Sequence, residues 1–251
     1  MGARNYHAFR PLKLARAPRH YRLPQEAPMR SFAFALLISS AAMARSEDRE
    51  VPRFDAVHIS SGMHARIVIG PQKAVHVEGD DESLARLELT VEDGELNAHF
   101  KEGSWFHSER AVKLTIQAPA VRSVGASGGS IVDADLTRSD KSSVQASGGS
   151  EMNVRGVDAA ELSLQASGGS ILTVSGRADE MDLQLSGGSQ LHGHELEVRN
   201  LEIQGSGGSQ AELSASGKIR GGLSGGSQLH ARGGGRASVH TSGGSEVDVD
   251  D

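Results

Sequence analysis

The 251-residue chain has no cysteine, 31 glycines and nine aromatic residues, which excludes disulfides, a zinc–thiolate site and a core rich in aromatic side chains. Residues 1–44 hold seven basic residues and one acidic residue, so residues 45–251 carry 19 basic against 31 acidic residues, a net charge of −12. Such an acidic chain lacks the basic footprint that binds nucleic acid or an anionic membrane.

Residues 1–44 are expected to be an N-terminal extension and a signal peptide. Arg30 precedes a short apolar run, and Ala42-Met43-Ala44 forms an A-x-A cleavage site before a charged stretch. That run is too short to span a bilayer, so no membrane span is expected in the mature chain; a weakly amphipathic anchor is the alternative. Met29 is a candidate for the true start, the alternative being an extended n-region. Export without cysteine predicts a bacterial periplasm or cell surface.

The next two segments precede the regular repeat. Residues 45–53 are expected to be a short linker, and residues 54–120 degenerate N-terminal coils with a cap. The segment from Val57 to Ile67 aligns with the later repeats, and Glu92-Asp93-Gly94-Glu95 is typical of a hairpin turn between two strands.

Residues 121–251 contain a strict repeat. Ser-Gly-Gly-Ser begins at Ser127, Ser147, Ser167, Ser186, Ser206, Ser224 and Ser242, at steps of 20, 20, 19, 20, 18 and 18 residues. A fixed period near twenty indicates a solenoid. Apolar and polar residues alternate on both sides of each motif, which is typical of β-strands. The predicted fold is therefore all-β: a parallel single-stranded β-helix with about 18–20 residues per coil, expected to be right-handed.

The alternation also predicts which motif residues point inward. The phase continues across the motif, so the first glycine and the last serine should face the core, where the coil narrows. The inward serine is expected to bond to the equivalent serine of the next coil.

Aligning the repeats places outward residues in columns. Two residues before the motif stand four consecutive glutamines: Gln145, Gln165, Gln184 and Gln204. Stacked amides can bond along the axis as structural ladders; a polar ligand surface is the alternative.

Three residues after the motif, His192, Glu212 and His230 share a column, and His194 lies beside it. These residue types are transition-metal ligands, but neighbouring imidazoles on a strand face are more often only solvated. The expectation is therefore no metal and no cofactor, with these four residues as weak candidates.

Trp105 and Phe106 are the remaining binding candidates. An exposed pair would contact a partner, whereas a buried pair would form a lid over the solenoid end. No aromatic residue occurs from 121 to 251, and Asp133 and Asp135 have no accompanying basic cluster, so no catalytic set stands out.

The chain resembles the putative auto-transporter adhesin, head GIN domain family of bacterial envelope proteins. The resemblance depends on Phe54-Asp55-Ala56-Val57 after a signal peptide, the strand from Val112 to Pro119, and the serial Ser-Gly-Gly-Ser motifs. It covers about residues 54–249 and implies a β-helix. The word adhesin in the name of the family rests on analogy.

Two classes of function follow. The first is an exported, non-enzymatic cell-envelope protein, adhesin-like or a scaffold, with an unidentified protein or glycan partner. The second is a carbohydrate-active β-helix enzyme acting on acidic polysaccharide. The acidic last coil predicts a monomer or a weak homo-oligomer, because charge opposes pairing of an open strand edge.

Overall fold

The computed structural model describes residues 45–101 and 111–250. These residues are 66% strand and 3% helix and form a β-solenoid of about 6 turns, which confirms the predicted fold class. The early strands are β1 (Arg45–Arg49), β2 (Ala56–Ile59), β3 (His64–Ile69), β4 (Val75–Gly79), β5 (Leu87–Glu92), β6 (Glu95–Phe100) and β7 (Lys113–Ala118), with helix α1 (Asp81–Arg86) between β4 and β5. The later strands are β8 (Ser123–Ala126), β9 (Ile131–Asp135), β10 (Ser139–Ala146), β11 (Glu151–Ala166), β12 (Ile171–Leu185), β13 (Gln190–Gly205), β14 (Gln210–Ala215), β15 (Lys218–Leu223), β16 (Gln228–Arg232), β17 (Arg236–Thr241) and β18 (Glu246–Asp250).

Strand β11 shows how one repeat is built. Buried and accessible residues alternate along it, and the alternation shifts at residues 155–156 and 160–161, where two consecutive positions are exposed. Where two consecutive residues of a strand are exposed, the side of the strand that faces the core changes. Each repeat therefore turns around the core at these two places and again at Ser-Gly-Gly-Ser.

The Ser-Gly-Gly-Ser motif is a tight turn. In the copy that starts at Ser147, Gly148 and Gly149 have φ of 63° and 75°, and positive φ at both central positions is the signature of a type I′ turn. The last serine, Ser150, is buried, as the sequence predicted. The prediction that the first glycine faces the core was wrong: Gly148 is exposed, and a Cβ there would point at the backbone nitrogen of Gly128 in the adjacent coil.

The buried serines bond within their own turns. Ser150 Oγ donates to Ser147 O over 2.7 Å, and Ser130 makes the same bond to Ser127. Bonds between the equivalent serines of adjacent coils occur at two places within the described residues: the Oγ atoms of Ser209 and Ser227 are 3.2 Å apart, and Ser227 N donates to Ser245 Oγ over 3.1 Å. The turn brings its own carbonyl oxygen over the serine, so the hydroxyl is satisfied locally.

The core is made of stacked columns. Val124, Val144, Leu164, Leu183 and Ile203 are paired in register on successive parallel strands, and each has 0% exposure. Because each of these five strands places an apolar side chain at the same position of the repeat, the side chains stack on one another from coil to coil. Burial of such columns is the main stabilising contribution.

The first described coil matches the repeat in register. Val57 pairs with Val124, which agrees with the alignment made from the sequence. Ser61 and Gly62, with φ of 62° and 73°, replace the two glycines of the turn. Fully buried Met63 stands where later coils have serine.

The N-terminal strands do not stack in chain order. Strand β2 pairs in parallel with β8 on one side and with β6 on the other. Likewise β3 lies between β9 and β7. The coil formed by residues 56–69 is thus enclosed by two coils that follow it in the sequence.

Antiparallel strands extend the sheet at this end. Strand β5 pairs with β6 through the predicted hairpin, where Asp93 and Gly94 have positive φ. Strand β4 pairs with β7 and also with β1. Of residues 45–53, which were expected to be a short linker, the first five form β1.

Two features hold this region together. The Arg49 guanidinium donates to the carbonyl oxygens of Leu84 and Leu87 over 2.6 and 2.7 Å. Helix α1 begins after Asp80, whose carboxylate accepts from Ser83 N over 2.8 Å as an N-cap.

Among residues 45–101 and 111–250, no helix has the length and apolar character needed to cross a membrane.

Candidate functional site

The four glutamines predicted to share a column do so. Gln145 pairs with Gln165, Gln165 with Gln184, and Gln184 with Gln204 on strands β10 to β13. All four side chains are exposed. Each follows a buried residue and precedes another, so the period-two alternation of the strand alone directs them outward.

The column forms part of a surface groove of about 760 Å³. The column supplies one set of lining residues, and the first serine of six of the seven Ser-Gly-Gly-Ser turns supplies another, among them Ser147, Ser167, Ser186 and Ser206. The groove is long because it repeats from coil to coil. It presents amide and hydroxyl groups at the spacing of parallel strands, about 4.8 Å.

The column has a histidine on either side of the glutamines. The register runs from His58 through Gly125 to the glutamines, and then through Gly222 to His240. His58 Nε2 lies 3.1 Å from Ser127 Oγ. His58 was not singled out from the sequence, although aligning Val57 with the later repeats would have placed it beside the glutamines.

Among the described residues, the glutamine amides do not form the hydrogen-bonded structural ladder that was one of the two interpretations of this column. Gln145 Nε2 reaches Ser143 Oγ over 3.4 Å, and Gln184 Nε2 reaches the Asp182 carboxylate over 3.4 Å. Both are long bonds within one strand. In the part of the chain that the structure describes, no hydrogen bond joins two glutamine side chains, so these amides keep donors and acceptors for solvent or a ligand.

Charged side chains are arranged differently. The residues that line the groove include no aspartate, glutamate, lysine or arginine. Away from it, ion pairs join adjacent coils, such as Arg177 with Asp158 at 3.0 Å and Lys141 with Glu161 at 2.6 Å. The Arg177 hydrogen bond holds the pKa of Asp158 below its ordinary value, and the bond to Glu161 raises the pKa of Lys141.

The two acids considered for catalysis, Asp133 and Asp135, also contact side chains of an adjacent coil. Asp133 accepts a hydrogen bond from the Asn153 amide over 3.1 Å, and Asp135 pairs with Arg155 at 3.1 Å. Both contacts link neighbouring coils, which gives each carboxylate a structural role.

The structure divides the four metal-ligand candidates. His192, His194 and Glu212 have ligand atoms within 4.8 Å of one another, whereas His230 forms a second such group with Asp248 and Asp250. Asp248 is paired in register with His230, and Asp250 lies two residues further along the same face of β18. Trp105 and Phe106 lie outside the described residues.

The fold and the repeat define a β-solenoid of the adhesin-like type. Residues 53–235 match the family model described as putative auto-transporter adhesin, head GIN domain, and the chain belongs to this family. No curated protein matches the sequence.

Solved structures share the fold at low identity. A putative adhesin from Bacteroides fragilis NCTC 9343 has 16% identity and a TM-score of 0.72, covering 83% of this chain and 96% of its own. A putative adhesin from Parabacteroides merdae ATCC 43184 has 15% identity and a TM-score of 0.59, with coverage of 83% and 97%. A putative lipid binding protein from Parabacteroides distasonis ATCC 8503 has 13% identity and a TM-score of 0.60, with coverage of 82% and 96%.

Proposed function

We propose that this protein is an exported, non-catalytic binding protein of the bacterial cell envelope, and that the glutamine groove holds a neutral polar polymer such as a glycan chain. The family membership and the A-x-A signal support export. The single observation that carries the ligand proposal is a row of exposed glutamine amides, in register and not bonded to each other, along an uncharged groove.

The chemistry of the groove selects an uncharged ligand. Primary amides donate and accept, as do serine hydroxyls, so both match the hydroxyl groups of a sugar. The surplus of acidic residues repels an acidic polysaccharide, which disfavours the enzyme alternative. Stacking on aromatic rings contributes nothing here, since the repeat region has no aromatic residue; affinity must come from many weak polar contacts along the polymer.

Binding of neutral and acidic polysaccharides to the purified full chain tests this proposal. The double variant Gln165→Ala/Gln184→Ala should lose most of the binding of a neutral polysaccharide. The matched control is Gln210→Ala/Gln228→Ala, which removes two in-register glutamines from a different column. Equal loss in both variants, or binding of acidic chains or lipid vesicles alone, would contradict the proposal. Release of shortened product would support the enzyme alternative instead.

A further inference from the structure

We propose that His192, His194 and Glu212 form a binding site for a divalent transition-metal ion on a face of the solenoid outside the glutamine groove. Their ligand atoms lie within 4.8 Å of one another. His194 Nε2 is already 2.9 Å from Glu212 Oε2. Two imidazoles and one carboxylate are a ligand set that zinc and related ions accept.

The strand geometry explains why these three side chains converge. His192 and His194 are two residues apart on β13, so both project from the same face, and Glu212 is paired with His192 on the adjacent strand β14. Gly193 lies buried between the histidines. A Cβ at this position would lie 2.9 Å from Glu212 O, so the glycine permits the close approach of β13 and β14.

Only a small closure is needed to surround an ion. Zinc bonds of about 2.0–2.2 Å place two ligand atoms of a tetrahedral centre about 3.4 Å apart. His192 has no hydrogen-bond or ion-pair partner within the described residues, so its ring can rotate toward the other two without breaking a polar interaction. Three protein ligands leave at least one position for water or for a group from another molecule.

The second group, His230 with Asp248 and Asp250, is less suited to bind a metal ion. Asp248 lies 3.1 Å from His230 Nδ1, and Asp250 lies 3.5 Å from His230 Nε2. Both ring nitrogens of His230 already face a carboxylate, so a metal ion could bind this imidazole only by displacing one of these contacts. The site is therefore assigned to His192, His194 and Glu212 alone.

Titration of the full chain with Zn²⁺ by calorimetry, and with Co²⁺ by visible absorption, tests the site. The wild type should bind one ion tightly, and bound Co²⁺ should show the intense d–d bands of a four-coordinate centre. His194→Ala and Glu212→Gln should each abolish this tight binding and these bands. All of these side chains are on the surface, so circular dichroism should show unchanged strand content.

His240→Ala is the matched control, because it removes an accessible histidine from a different column, and it should bind as the wild type does. Absence of tight Zn²⁺ and Co²⁺ binding in the wild type would overturn the proposal. Binding retained in both His194→Ala and Glu212→Gln, or lost equally in His240→Ala, would also overturn it. The result is independent of polysaccharide binding, which concerns another face.

Discussion

The imidazole of His58 occupies the space above Gly125, its in-register neighbour on the next coil. A Cβ at residue 125 would collide with His58 Nδ1. The missing side chain allows the ring to lie across the column and to reach Ser127 Oγ. This end of the groove is thus shaped by a pair of residues on different coils.

Substitution of Gly125 should therefore act through His58. Gly125→Ala must displace the imidazole and break its bond to Ser127, at a cost of about 1 kcal/mol in the free energy of unfolding. In the His58→Ala background the same substitution should cost much less. A double-mutant cycle by urea denaturation measures this coupling. Additive effects would show that the two residues do not interact.

The two glycines of one turn should differ in their tolerance of alanine. Gly168 and Gly169 have φ of 65° and 75°, so alanine at either position adopts a left-handed conformation at a cost of about 1–2 kcal/mol. A Cβ on Gly168 would also lie 3.1 Å from Gly148 N, whereas one on Gly169 meets nothing within 4 Å. Gly168→Ala should consequently lower the free energy of unfolding by about 1 kcal/mol more. Equal denaturation midpoints for the two variants would argue against contact between stacked turns.

The buried serine and the exposed glutamine of one repeat should also respond differently. Ser170 has 0% exposure, so Ser170→Gln overpacks the core at a cost of about 1–3 kcal/mol. Gln165→Ser trims an exposed side chain and should change the free energy of unfolding by about 0.5 kcal/mol or less. Thermal melts of both variants, with hydrogen exchange to detect local opening, check the order. A larger effect of Gln165→Ser would refute the assignment of inner and outer faces.

Strand β1 should be attached more firmly at low pH. The hydrogen bond that the His76 imidazole donates to the Asp48 carboxylate raises the pKa of His76 above its ordinary value of 6.5, and Glu78 adds to the effect. Because the folded state favours the charged ring, this stabilisation is full below the ordinary pKa and disappears as the pH rises through the folded pKa. Asp48→Asn should lower the pKa of His76, as measured by NMR titration. An unchanged pKa in Asp48→Asn would show that β1 does not pair with β4 in solution.

The repeat made most of the solenoid predictable. Seven copies of one motif, each flanked by alternating residues, determine the coil length, the register of Gln145 to Gln204 and the buried position of Ser150. The exposed position of Gly148 was missed because the alternation of apolar and polar residues continues unchanged across the motif, although the chain makes a tight turn there. The sequence placed His192, Glu212 and His230 in one column with His194 beside it, but the repeat spacing does not show that the structure separates these residues into two groups.

The N-terminal order was not predictable, because strand pairing there joins segments that lack the motif. Nothing in the residues of β2 indicates that its two neighbours, β6 and β8, both come later in the chain. The pairing of β1 was missed for a similar reason: Arg45–Arg49 is charged and has no apolar alternation.

The enclosed position of residues 56–69 constrains how the chain acquires its structure. Strands β2 and β3 are synthesised before all four of their partners, so their edges stay unpaired until residues 95–135 have been added. Closure of these loops is slow compared with pairing of adjacent repeats. The regular coils after residue 139 need only their immediate neighbours, so they are expected to gain protection from hydrogen exchange first during refolding, with the amino-terminal coil completed last.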